Sequence, residues 1–98
     1  MKLPKILNIC GHQFKIVYKK GLVHNQAPCW GMCDTEKQII YLVYGMSPTK
    51  KMEIFLHECL HAIETIYNLN LSEIAVKQLS LGILSAIRDN KIDLLKEK

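Results

Sequence analysis

The sequence has no apolar run approaching the roughly 18 residues that a membrane span needs, so no membrane partner is expected. It also lacks a dense basic stripe. Its lysines fall mostly in ones and twos, as at Lys19-Lys20 and Lys50-Lys51. With a spread charge of +4 and no set of stacking aromatics (7% in all), a nucleic-acid partner is not expected either. Internal repeats, low-complexity tracts and linker-like stretches are absent, and 98 residues suit one domain spanning 1–98. With 49% hydrophobic and 22% charged residues, the balance is globular and excludes disorder. The opening MKLPKILNI has too short an apolar run, interrupted by Pro4, to read as a secretory signal. A cytoplasmic location is therefore expected, with Cys10, Cys29, Cys33 and Cys59 as free thiols. Cys29 and Cys33 stand at C-x3-C, yet no matching second pair follows to complete a structural zinc site.

What is present divides into two halves. Residues 5–9 read as a strand or lead-in. Residues 13–20 alternate Phe14, Ile16 and Tyr18 against Lys15 and Val17 and predict a strand. Pro28 limits residues 24–30 to a loop or an edge strand. Gly31-Met32-Cys33-Asp34 reads as a turn, and the apolar run 38–44 as the clearest strand. The period then changes. Ser47-Pro48 has the form of a helix start, and apolar residues recur at helical spacing over 48–67. Asn68-Leu69-Asn70 breaks this helix, and a second runs over 71–88. The tail, 91–98, reads as one or two further weak turns, expected to lie across the cleft and limit activity. Strands followed by helices predict an α+β fold, a small and mostly antiparallel sheet packed on a helical pair.

The first helix carries His57-Glu58-Cys59-Leu60-His61, the pattern H-E-x-x-H. Residues i and i+4 share a helix face, so both imidazoles can reach one metal. Glu58 lies about 100° further round, near that metal without binding it. There it can act as general base toward a water made acidic by zinc. Cys59 points away from the metal face and reads as a buried small residue. A catalytic zinc site needs a third protein ligand. Glu64, three residues after His61, is one candidate, and its bland reading is a surface carboxylate. Glu73 is the other, and its bland reading is a capping box with Asn70. A ligand from a separate helix completes a tetrahedron more easily, which favours Glu73. Lone His12 and His24 are expected at the surface or as satisfied core residues.

The run LHECLHAIETIYNLNLSEIAVKQL resembles the zinc-binding core of small phage- and prophage-type zincin-like metallopeptidases. The likeness extends from about residue 14 to 90, with Gly31–Asp34, residues 39–42, the H-E-x-x-H run, and Ser72-Glu73 with Val76. It implies a minimal zincin-like fold in which an active-site helix is followed by a glutamate-bearing helix, as in gluzincins. It further implies Zn2+ held by His57, His61 and Glu73, with Glu58 catalytic and a peptide or protein as substrate. A strand beside the metal, at 38–44 or in the segment before it, is expected to pair with that substrate. Tyr67, Tyr41, Tyr44 and His24 are the candidate oxyanion stabilisers. The alternative is a zinc-stabilised binding or regulatory protein of phage or prophage origin with little or no peptidase activity.

Overall fold

A computed structural model of the protein describes residues 2–90. The tail 91–98, and with it the expected cover over the cleft, lies outside the described residues. The N-terminal half reverses through two-residue turns. Cys10 (φ 51°) and Gly11 (φ 81°) take the paired positive φ of a type I′ turn, whose twist matches that of the strands it joins. They connect β1 (Ile6–Ile9) to β2 (His12–Lys19). Asn25 and Gln26, at φ 52° and 64°, do the same between β3 (Leu22–His24) and β4 (Ala27–Cys29). Pro28 sits in that small two-stranded ribbon, where a missing N–H costs little.

The segment that read as a turn is a strand, β5 (Gly31–Asp34). Gly and Asp signal reversals, but this reversal comes just afterwards. Asp34 Oδ1 accepts the Lys37 N–H at 3.0 Å, and Gln38 takes φ 57° before β6 (Ile39–Val43) begins. The main sheet has the order β1-β2-β6-β5. Its outer pairings are antiparallel, but β6 joins β2 in parallel, so the sheet is mixed. Of the two places expected for the strand that pairs with substrate, 38–44 is not an edge and the segment before it is. β6 lies inside the sheet, and β5 is the edge beside it.

The first helix, α1 (Pro48–Ile66), begins as expected, with the Ser47 side chain accepting from Lys50 N at 3.2 Å and Pro48 in the first turn. It ends in a Schellman arrangement. Asn68 adopts φ 56°, Leu69 N–H reaches Glu64 O at 2.8 Å, and Asn68 N–H reaches Thr65 O at 3.2 Å. The second helix, α2 (Glu73–Asp89), is capped by Ser72, whose side chain accepts from Ala75 N at 3.1 Å. The Asn70 capping box does not form, which leaves the Glu73 carboxylate free. Phe14 and Ile16 of β2 and Ile40 and Leu42 of β6 pack with Phe55 and Ala62 of α1 into the core. Each large apolar side chain so buried stabilises by roughly 1.5–3 kcal/mol. Among the described residues no helix is long and apolar enough to cross a membrane.

Candidate metal centre

The helical repeat sets His57 and His61 one turn apart, ring centroids separated by 4.8 Å. Their Nε2 atoms converge to 3.2 Å. The short 67–72 connection turns α2 back, so that its first residue meets them. Glu73 Oε1 lies 2.6 Å from His57 Nε2, and Oε2 lies 3.2 Å from His61 Nε2. This is the one group of three metal-capable side chains that gathers among the described residues.

Glu64 has a different place from either sequence reading. It is neither a ligand nor a bare surface carboxylate. Its Oε1 accepts from His61 Nδ1 at 2.9 Å, and its Oε2 accepts the Leu71 N–H at 2.9 Å. Those two bonds, that to His61 first, hold its carboxyl below the usual carboxylate range. An ionised carboxylate only accepts, so it fixes the His61 proton on Nδ1 and turns the Nε2 lone pair toward the centre. Burial pulls the His61 pKa down, but the bonds to Glu64 and Glu73 outweigh it and the net shift is upward. Burial likewise opposes ionisation of Glu73, and its bonds to His57 and His61 overcome that and lower its pKa. His57 Nε2 is in hydrogen-bond contact with the Glu73 carboxylate, and a metal held here would need the nitrogen's lone pair.

The donor set fits zinc. Zinc bonds of roughly 2.0–2.1 Å place tetrahedral ligand atoms roughly 3.3–3.4 Å apart. The separations involving His61 are 3.2 Å, already close to that, and the 2.6 Å His57–Glu73 contact would have to open for both to hold a metal. Two imidazoles and one carboxylate gather among the described residues, one ligand fewer than a closed tetrahedral site. No family model, curated protein or solved structure matches this chain. The reading of the centre therefore stands on its own geometry.

The two glutamates separate in one binding experiment. Glu73→Ala removes a ligand and is expected to abolish stoichiometric zinc. Glu64→Gln loses only the orientation of His61 and is expected to weaken zinc by about 10–100-fold. Equal losses in competition with a chelator would mean that Glu73 is no ligand.

Glu58 lies outside the ligand group, buried at 8% exposure. Burial pushes its pKa up, as does the Glu73 charge, while His57, His61 and His24 pull it down, and the net shift is upward. A base raised in this way suits proton transfer near neutral pH. What accommodates it is Gly31, a residue that sequence reasoning took for a turn-former. A Cβ at Gly31 would stand 2.5 Å from Ile54 Cγ2, 3.2 Å from Glu58 Cγ and 3.3 Å from Glu58 Oε2. The edge strand thus passes so close to α1 that only glycine fits. Gly31→Ala is expected to destabilise the fold by about 1–3 kcal/mol through overpacking. It should also displace Glu58 more than it lowers metal retention, and any hydrolytic turnover should fall with that displacement. Denaturant unfolding, metal content and turnover measured together would check this.

A cleft of ≈ 750 Å³ opens beside the centre, lined among others by His24, Trp30, Gly31, Glu58, Glu73 and Lys77. Of the four oxyanion candidates His24 alone lines it. Tyr18 stacks on Tyr44 at 5.4 Å, Tyr41 lies beneath Lys19, and Tyr67 is exposed at the end of α1, outside the cleft. Cys29 and Cys33 border the cleft but do not join the ligand group. Burial first, with Glu58 nearby, holds the Cys33 thiol up at about 12, so it stays protonated. Cys59 packs against the core as expected, its thiol also pushed up to about 12 by burial. His12 bonds to Gln38 away from the centre.

Proposed function

We propose that this chain is a zinc-dependent metallopeptidase. The carrying observation is that Nε2 of His57, Nε2 of His61 and a Glu73 oxygen converge while the Glu58 carboxylate stays outside them in the adjoining cleft. A structural zinc would more often be closed by four protein ligands. Three gather among the described residues, which favours an enzyme over a zinc-stabilised binding protein.

Zinc, when bound, supplies a Lewis acid that makes water ionise near neutral pH. The remaining chemistry belongs to side chains and backbone. Glu58 takes the proton of the attacking water and returns it to the leaving amine. His24, the oxyanion candidate that lines the cleft, would donate a hydrogen bond to the developing oxyanion. Substrate pairing falls to β5. Met32 opposes Tyr41 and Trp30 O accepts the Val43 N–H, so Trp30 and Met32 turn their backbone toward β6. By strand alternation Gly31 and Cys33 turn their N–H and C=O groups to the free edge, where an extended peptide can add as a strand.

The test is to load the purified protein with one equivalent of zinc and incubate it with an unfolded protein. Mass spectrometry would then show whether fragments appear. Cleavage that chelator stops and zinc restores supports the reading. A fully zinc-loaded chain that cuts nothing in an unfolded proteome counts against it.

A further inference from the structure

α2 brings a second side chain to the cleft. Lys77 follows Glu73 by one turn on the same helix face, about 6 Å further along the axis, and both line the cleft. This spacing commonly makes an ion pair, but here Glu73 turns its carboxylate to the histidines. Among the described residues Lys77 forms no ion pair. On the α1 wall Lys50 and Glu53 both line the cleft, so their charges offset. The cleft is therefore asymmetric. Among the described residues its α2 wall carries an ammonium that no carboxylate pairs.

Dimensions say what could meet it. The cleft follows α1 from Lys50 to Thr65, about 22 Å of helix. An extended peptide rises about 3.3 Å per residue, so about seven residues fill it. We propose that Lys77 makes this cleft selective for a carboxylate on the α2 side of the metal centre. That carboxylate is either an Asp or Glu side chain of the peptide or its C-terminal carboxylate. The proposal rests on the peptidase reading for its purpose, but not for its test.

The experiment uses zinc-loaded Glu58→Gln protein, so that bound peptide persists. Trp30 is the single tryptophan and lines the cleft, which allows a fluorescence titration, with calorimetry as a second readout. The probes are octapeptides with Glu or Gln at each position in turn, with free or amidated C-termini. One Glu position, or the free C-terminus, should tighten binding about two- to fivefold, the range of an exposed ion pair. Lys77→Gln should erase that gain and leave the neutral amidated peptide unaffected, and Lys77→Glu should favour a Lys-containing peptide. The two probe types tell a side chain from a chain end. The proposal is overturned by no binding, by no carboxylate preference, by a preference that survives Lys77→Gln, or by equal loss on every peptide. Failure of the unsubstituted protein to cleave would remove the peptidase reading while this titration still reports selection.

Discussion

Replacing Glu58 with Gln should leave zinc bound and the fold intact, while peptide hydrolysis falls by about 10²–10⁴-fold. Gln has the same shape and fills the slot beside Gly31, so packing against β5 is kept. It cannot take a proton. Because Glu58 is not among the gathered ligands, metal stoichiometry should not change. The substitution also removes a buried carboxyl that ionises against its surroundings, so no loss of stability is expected. Metal analysis, circular dichroism and initial rates on one peptide suffice. An unchanged rate would sink the enzyme reading, and loss of zinc would make Glu58 a ligand instead.

His61→Ala should lose zinc, and with it much of the protein's apparent stability. A chain of 98 residues has a thin margin, and zinc that binds only the folded state adds directly to it. With free zinc a thousandfold above its dissociation constant, that addition is about 4 kcal/mol. For a domain of this size such a loss lowers Tm by at least roughly 15 °C. The control is the unsubstituted protein in chelator, which should drop by a similar amount. His61→Ala should be indifferent to chelator. His57→Ala should behave alike, since its Nε2 lies in the same cluster. Full zinc occupancy in both variants would show that the metal, if any, sits elsewhere.

The sequence by itself determined whatever depends on residues near one another along the chain. Helical periodicity and Ser47-Pro48 located α1, and the i, i+4 spacing put His57 and His61 on one face with Glu58 beside it. Alternation located β2, and the apolar run located β6. Glu73 was legible because a break as short as residues 67–72 leaves the second helix little choice but to fold back on the first.

Tertiary structure decided the rest. Gly31–Asp34 carries turn residues and became the edge strand because β6 offered backbone partners and α1 left no room for a Cβ. The apolar run 39–43 suits an edge or an interior strand equally well, and only its parallel pairing with β2, far away in sequence, placed it inside. Ser72 rather than Asn70 became the cap, its hydroxyl accepting the Ala75 N–H, while Glu64 reaches across from α1 to accept the Leu71 N–H. That same bond turned Glu64 from a rival ligand into the group that orients His61. Spacing along a helix fixes which side chains share a face. Which partner a carboxylate chooses depends on donors delivered by another segment, and no local pattern carries that.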